Sequence, residues 1–151
     1  MTATDRPDLR DRVRIAYSAA EMPQTKHAFP VGRGFAESLG YPADLLDQLP
    51  AVASDAFAGV SNVSIFAEIP FGATILDLGC GAGLDALIAA RRVGLAGKVI
   101  AVDFSAAMLA RARQAVAEAG ASNVELREAD AGQLPIADEE IDIAMVNGIS
   151  I

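Results

Sequence analysis

A glycine-rich turn between two apolar runs limits what this chain can fold into more than any other feature. The apolar run over residues 75–78 is followed by three glycines at alternate positions within 79–83. A helical pattern of apolar residues then leads to a second run, 99–102, which ends in Asp103. Because glycine has no Cβ, the turn can take positive φ and let another molecule approach the backbone. The order of strand, turn, helix, strand and acid therefore predicts a parallel α/β unit that binds a ligand.

The acid at the end of the second run indicates the class of ligand. Asp103 lies 20 residues beyond Gly83, where the second strand should end, and a carboxylate there can accept hydrogen bonds from both hydroxyls of a ribose. The turn also opens a helix whose first N–H groups are unpaired. We therefore expect a ligand with an adenosine-like half. The dinucleotide fingerprint G-x-G-x-x-G would place its third glycine at Leu84, which disfavours NAD and FAD.

The stretch from Asp77 to Gly83, D-L-G-C-G-A-G, closely resembles motif I of the class I S-adenosylmethionine (SAM) methyltransferases. In that family the loop surrounds the amino-acid end of SAM, and the acid matching Asp77 orders the loop and helps to hold the SAM ammonium group. The resemblance implies a Rossmann-like fold, SAM as cofactor and a small-molecule methyl acceptor. The cofactor-binding residues that it implies are Asp77, Gly79, Cys80, Gly81, Gly83, Asp103, Phe104, Met108, Asp130, Ala131 and Asn147.

The same resemblance implies separate roles for the residues that follow the strands. Asp103 would bind the two ribose hydroxyls, and Phe104 and Met108 would lie against the faces of the adenine ring. Asp130 would accept a hydrogen bond from the adenine amino group, and the backbone N–H of Ala131 would meet a ring nitrogen. These roles predict that the cofactor lies across the carboxyl ends of the strands.

Several of these residues also have simpler interpretations. Met108 lies on the apolar face of a predicted helix and could be a core residue, and Asp130 could be a turn residue. Asn147, which the resemblance places near the transferred methyl group, could be a loop former. Cys80 is interpreted as a small loop residue and not as a nucleophile, and His27 as structural. We predict no metal site and identify no catalytic base.

The residues before the glycine turn predict a helical cap over residues 1–70, and residues 71–151 predict a partial SAM-binding domain. Prolines and glycines divide the cap into short segments. The predicted cap elements are an amphipathic helix over Asp8–Ala20, a loop over 21–34, a helical turn over Phe35–Leu39, a helix starting at Pro42, a helix over Ala51–Ala58, and a connection over 60–69 with a short strand or turn.

The cap resembles the N-terminal region of bacterial arsenite-methyltransferase-like proteins. The resemblance rests on K-H-A-F-P-V-G-R-G-F-A-E-S-L-G-Y-P and F-A-G-V-S-N-V, after an earlier Y-S-A-A. Trivalent arsenic is soft and is held by several thiolates in the arsenite enzymes of this family. Because Cys80 is the one cysteine of the chain, arsenite methylation by this chain alone is disfavoured.

The second half of the chain alternates strands and helices. The predicted strands are Thr74–Leu78, Val99–Asp103, Val124–Arg127 and Ile141–Val146. One predicted helix covers Leu84–Val93 and stops at Gly94, and the other has Ser105 as its N-cap and Gly120 as its C′ residue. The family's sheet has seven strands, so a sheet that stops after strand four predicts a truncated chain, a partner subunit over the edge, or a longer protein. We favour truncation. An exposed fourth strand could pair with another copy, giving a homo-oligomer, and the alternative function is a non-catalytic SAM-binding half that needs a partner chain.

Charge and hydropathy exclude several partners. The net charge of −8 and the pI near 4.5 disfavour nucleic acid, which needs a basic surface. Charged residues between Asp5 and Arg14 argue against a signal peptide, and no apolar run approaches the length of a membrane span. We expect a cytoplasmic protein with no membrane partner.

Overall fold

Four parallel strands form the centre of the described structure. The computed structural model describes residues 30–130, 136–137 and 140–147, so the predicted helix over Asp8–Ala20, His27 and Ala131 lie outside the described residues. The strands are β1 (Thr74–Leu78), β2 (Lys98–Asp103), β3 (Val124–Glu128) and β4 (Ile143–Val146), in the order β3-β2-β1-β4. The α/β class and the parallel sheet predicted from the sequence are confirmed.

The order of the strands places the predicted site at the carboxyl ends of the strands, next to the central strand β1. β1 pairs with β2 from Thr74–Lys98 to Leu78–Val102 and pairs with β4 on its other side. β1 and β2 are buried on both faces, as near-continuous apolar runs require. The carboxyl end of β1 therefore lies between the ends of β2 and β4, and β4 is an outer strand of the described sheet.

Two longer helices cover the sheet, and both begin and end where their capping residues predict. The helices are α5 (Leu84–Val93) and α6 (Ala106–Ala119). The side chain of Ser105 accepts a hydrogen bond of 3.2 Å from the backbone N–H of Met108, which caps α6. Gly120 ends α6 in the left-handed conformation, with φ of 62°.

Four short helices form the described part of the cap: α1 (Arg33–Ser38), α2 (Ala43–Asp47), α3 (Ala51–Asp55) and α4 (Val63–Phe66). Buried apolar residues of this cap share one core cluster with α5 and α6. The cluster comprises Ala36, Tyr41, Leu46, Leu49, Ala53, Phe57, Leu84, Leu87, Ile88 and Ala115. The cap is therefore packed onto the α/β unit, and the boundary at residue 70 stays a prediction.

Some predicted boundaries were wrong. Pro42 is the N-cap of α2 and lies just outside the helix, because its ψ of 131° is extended. The helix predicted over Ala51–Ala58 ends at Asp55, since Ala56 has non-helical dihedrals. The connection predicted to carry a strand or turn contains α4 instead. β4 begins at Ile143 and not at residue 141.

A close approach at Gly97 leads to a prediction about stability. A Cβ at Gly97 would lie 2.6 Å from the backbone oxygen of Ala73 and 2.5 Å from the Cβ of Val93. Gly97→Ala must push α5 or β1 aside, and we expect urea unfolding to show a loss of about 1–3 kcal/mol. Gly34→Ala is the control, because its Cβ meets no atom within 4 Å and alanine is favoured in helix α1 by up to about 1 kcal/mol. Equal stability of the two variants would contradict this packing.

Candidate cofactor site

The glycine turn closes tightly over the end of β2. The backbone N–H groups of Gly79 and Cys80 both donate to the carbonyl oxygen of Val102, at 2.7 and 3.0 Å. Gly79, Gly81 and Gly83 have φ of 73°, 55° and 94°, a region that other residues enter at a cost. The positive φ predicted from the glycine spacing is confirmed.

Space beside Gly81 shows where a ligand can approach the turn. A Cβ built on Gly81 would have no atom of the described residues within 4 Å, whereas one on Gly83 would lie 3.5 Å from the Cβ of Ala112. Gly83 is also the N-cap of α5, so the first N–H groups of this helix face the same end of the sheet. The turn thus combines backbone donors with open space above one glycine.

Asp77 is the most unusual polar residue in the site. Its side chain lies in β1 and is 1% exposed, and its Oδ2 has no hydrogen-bond partner among the residues that the structure describes. Burial, and then the nearby carboxylates of Asp85 and Asp103, raise the pKa of Asp77 well above its usual range. A buried carboxyl group in this state is suited to a cationic ligand, whose charge would compensate its own.

Asp103 joins the glycine turn to the start of α6. Its Oδ2 accepts a hydrogen bond of 2.9 Å from the N–H of Gly81, and its Oδ1 accepts one of 2.9 Å from the N–H of Ser105. The side chain is 2% exposed. This carboxylate therefore fixes the glycine turn relative to the start of α6.

A cavity lies between the glycine turn and the cap. One wall consists of cap residues 53 and 56–59, and the other consists of residues 79–82 with the start of α5. The residues that line it are Ala53, Ala56, Phe57, Ala58, Gly59, Gly79, Cys80, Gly81, Ala82, Leu84, Asp85, Met108 and Asn147. The cap therefore forms half of the pocket that the glycine turn opens into.

Comparison with known proteins gives the family. Residues 75–151 match the family described as the methyltransferase domain. The chain belongs to the class I SAM-dependent methyltransferases. It is 43% identical over 111 residues to an arsenite methyltransferase from Halobacterium salinarum, an alignment that covers 74% of this chain and 28% of that protein. This chain thus spans about a quarter of the length of that relative.

Two solved methyltransferase structures share the fold. A SAM-dependent methyltransferase from Aquifex aeolicus matches with a TM-score of 0.54 and 26% identity, over 78% of this chain and 57% of that one. An arsenic(III) SAM methyltransferase from Chlamydomonas reinhardtii matches with a TM-score of 0.53 and 25% identity, over 78% of this chain and 39% of that one. The predicted fold class, family and cofactor are thereby confirmed.

The structure brings some of the other predicted site residues to the cavity. Met108 is buried with Ala56 of the cap and Ala82 of the turn, and it lines the cavity. Phe104, which follows β2, and Asp130, which follows β3, are half-buried and do not line this cavity. The adenine contacts implied for these residues stay predictions.

Cys80 and Asn147 line the methyltransferase cavity in different states. Burial raises the pKa of the Cys80 thiol well above its usual range, so the thiol is poorly suited to act as a thiolate nucleophile. The Oδ1 of Asn147 accepts hydrogen bonds from the N–H groups of Val60 and Ser61, at 2.8 and 3.0 Å. Asn147 thus binds the cap at the point where β4 ends.

Sequence reasoning missed Asp85. This residue is in the first turn of α5, is 6% exposed and lines the cavity. Its carboxylate accepts hydrogen bonds from Tyr41, Ser64 and Asn147. The signal in the sequence was an acidic residue next to Leu84 and Ala86 at the start of a buried helix, where a charge needs partners.

The part of the chain that the structure describes contains neither a candidate metal cluster nor a membrane-spanning helix. Within it, no group of three or more His, Cys, Asp or Glu side chains is arranged to hold a metal ion. None of the described helices combines the length and apolar character of a membrane span.

Proposed function

We propose that this chain binds SAM in the cavity between the glycine turn and the cap, and that it transfers the SAM methyl group to a small-molecule acceptor. One observation carries the proposal: among the described residues, the buried Oδ2 of Asp77 has no hydrogen-bond partner, and Asp77 comes two residues before the glycine turn that lines the cavity. SAM brings a positively charged sulfonium and an ammonium group, which such a carboxylate favours.

The chemistry asks little of this chain's own residues. The sulfonium of bound SAM activates its methyl group, so the protein must align the acceptor and exclude water. The titratable groups that line the cavity are Cys80 and Asp85. The thiol pKa of Cys80 is raised, and Asp85 already accepts three hydrogen bonds. The proposed catalysis therefore rests on alignment and water exclusion, with no assigned base.

The acceptor that the Halobacterium relative's name suggests is arsenite. Trivalent arsenic prefers several thiolate ligands, and this chain contains a single cysteine, Cys80, which is buried. The residues of this chain therefore favour an organic acceptor over arsenite. Incubation with SAM and either arsenite or a panel of organic acceptors, with S-adenosylhomocysteine as the measured product, would separate the two.

A non-catalytic SAM-binding half that needs a partner chain is the second candidate. The outer position of β4 favours it, because Val146 is 48% exposed on a strand with an unpaired edge in the described sheet. Pairing along this edge would join two copies of the chain or a different chain. This candidate predicts that the isolated 151-residue chain binds SAM but transfers no methyl group. Adding the partner chain should then restore methyl transfer.

Asp103→Ala tests the proposed cofactor site. If Asp103 binds the ribose hydroxyls, its loss removes hydrogen bonds to a charged group, which are worth about 1.5–3 kcal/mol. We expect calorimetry to show roughly a tenfold to hundredfold weaker binding of SAM and of S-adenosylhomocysteine. NAD is the control ligand and should not bind.

Glu128→Ala is the matched control variant. Glu128 is the acid aligned with Asp103 at the end of β3, and it is exposed. It should bind SAM as the wild type does. Unchanged SAM affinity in a folded Asp103→Ala variant would contradict the assigned site, and NAD binding without SAM binding would favour a dehydrogenase domain instead.

A further inference from the structure

A buried hydrogen-bond network connects the cap to the cavity through Asp85. Its Oδ1 accepts hydrogen bonds from the hydroxyl groups of Tyr41 and Ser64, the latter at 2.5 Å. Its Oδ2 accepts one of 2.8 Å from the Nδ2 of Asn147. Tyr41 and Ser64 belong to the cap, and Asn147 follows β4. One carboxylate therefore holds three separate segments together.

The position of Asp85 fixes this carboxylate in place. It lies in the first turn of α5, a helix of 10 residues whose N-terminus favours negative charge. Its three hydrogen-bond donors are all neutral groups. They give both of its oxygens a hydrogen-bond partner, so the side chain is held in one orientation at the cavity wall.

Asn147 extends the network along the cap. Its Nδ2 donates to the carbonyl oxygen of Ser61 at 2.7 Å, and its Oδ1 accepts from the N–H groups of Val60 and Ser61. A Cβ on Gly59 would lie 2.6 Å from the Nδ2 of Asn147. Asn147 thus holds residues 59–61 by close contact and hydrogen bonds. Residues 56–59, which overlap this segment, form part of the cavity wall.

We propose that Asp85 is a positioning residue of this site, which holds the cap wall over the glycine turn through Tyr41, Ser64 and Asn147 and so links cap closure to cofactor binding. The linkage rests on the proposed function. Tyr41 and Ser64 donate hydrogen bonds directly to Asp85, and residues 60 and 61 are connected to it through Asn147. The same Asp85 side chain lines the cavity. A substitution that removes hydrogen bonds of Asp85 should make the cap wall more mobile and should also weaken cofactor binding.

Hydrogen exchange on Asp85→Asn tests the hold on the cap. In Asp85→Asn an NH2 group replaces one carboxylate oxygen. The side chain then cannot accept hydrogen bonds from Asn147 and from the two hydroxyl groups at the same time. We expect backbone amides of residues 53–61 to exchange at least about tenfold faster. Amides of β1 and β2 should stay within about twofold. Asp44→Asn, an exposed first-turn acid of α2, is the control and should change neither.

Tyr41 offers a spectroscopic readout that a purely structural role would not move. The chain has no tryptophan and two tyrosines, Tyr17 and Tyr41, so Tyr17→Phe leaves Tyr41 as the single tyrosine. Because the Tyr41 hydroxyl donates a hydrogen bond to Asp85, we expect its fluorescence to change when that bond changes. SAM should change this fluorescence in the Tyr17→Phe chain, and the change should disappear when Asp85→Asn is added.

The same variants give the binding result. We expect the Kd for SAM to rise about tenfold in Asp85→Asn, a change of the size expected when a hydrogen-bonded carboxylate is lost. Tyr41→Phe removes one hydroxyl group and keeps the aromatic ring, whose centroid lies 5.0 Å from that of Phe57. It is the variant to use if Asp85→Asn does not fold. Its SAM affinity should fall in the same direction by a smaller factor.

Each outcome decides the proposal. Unchanged exchange over residues 53–61, or faster exchange with wild-type SAM affinity, would overturn it. If the wild-type chain binds no SAM at all, the proposed function fails and the link to the cofactor fails with it. The exchange measurement then still shows whether Asp85 holds the cap, so the two failures are distinguishable.

Discussion

Asp77→Asn should bind SAM on the order of a hundredfold more weakly, and yet unfold at a higher temperature than the wild type when SAM is absent. In the free protein the Asp77 carboxyl group is buried with one oxygen lacking a partner. An unsatisfied buried polar atom costs about 1–3 kcal/mol, and more if charged. The asparagine amide is neutral, so it removes the repulsion between a charge at residue 77 and the carboxylates of Asp85 and Asp103. The same change removes the negative charge that favours the SAM cation.

The pH dependence of stability follows from the direction of the Asp77 pKa. Burial and the carboxylates of Asp85 and Asp103 raise this pKa in the folded state, so the folded chain holds the proton to higher pH than the unfolded chain does. The stabilisation from this group is complete below the unfolded value of about 3.9. It is lost as pH rises through the raised folded pKa. The stability advantage of Asp77→Asn should therefore increase as pH rises.

SAM binding should reverse the titration of Asp77. The cation favours the ionised carboxylate, so binding releases a proton and SAM affinity rises with pH across the same range. Calorimetry in buffers with different ionisation enthalpies measures this release directly. Asp77→Asn should show no such release from this residue.

The control for Asp77→Asn is a second acid of the sheet, away from the site. Asp142 precedes β4, and its Oδ2 accepts a hydrogen bond of 2.8 Å from the N–H of Thr74 at the start of β1. Asp142→Asn should lose stability and keep SAM affinity. If Asp77→Asn lost stability at neutral pH and kept its SAM affinity, two inferences would be contradicted: that the unsatisfied Asp77 oxygen destabilises the free protein, and that Asp77 favours the SAM cation.

Gly81→Ala is expected to abolish most SAM binding at a small cost in stability. Its Cβ would enter the open space beside the turn, where no atom of the described part of the chain lies within 4 Å. A methyl group there takes the volume into which the cofactor must approach the backbone. We expect a Kd about a hundredfold higher, which corresponds to roughly 3 kcal/mol. The φ of 55° at this position adds a folding cost of about 1–2 kcal/mol for alanine.

Gly120→Ala separates backbone strain from blocked binding. Gly120 has φ of 62°, close to that of Gly81, and its Cβ also meets no atom within 4 Å. It ends α6 and does not line the cavity. Both variants should lose similar stability in urea unfolding, and Gly81→Ala alone should lose SAM binding by calorimetry. Equal SAM affinity in the two variants would show that the ligand does not approach the turn at Gly81.

The sequence predicted the central unit well because its signals are local. Apolar runs, three alternating glycines and a capping serine each act within a few residues, so β1, α5, β2 and α6 were found with boundaries that differ by about one residue at most. Boundaries in the cap were less accurate. The helix from Ala51 ends earlier than its apolar pattern suggests, and α4 was missed, because helices of four to six residues depend on packing more than on propensity.

The candidate site shows the same division. The glycine turn and Asp103 could be chosen from the order of strand, turn, helix and strand, and Asp77 could be chosen from the resemblance of its stretch to motif I. Asp85 could not, because its partners are 44, 21 and 62 residues away and no periodic pattern connects them. Asn147 was chosen for a different role, and its bonds to residues 60 and 61 were not foreseen.

The sequence by itself determined the parallel α/β unit, the conformation of the glycine turn and the family to which the chain belongs. These depend on steric and hydrophobic rules that act between near neighbours. The tertiary structure alone decided that the cap forms a wall of the cavity, that Asp77 is left with an unpartnered oxygen, and that Asp85 holds the cap in place. Burial and hydrogen bonding are set by atoms distant in sequence, so they exist only once the chain has folded.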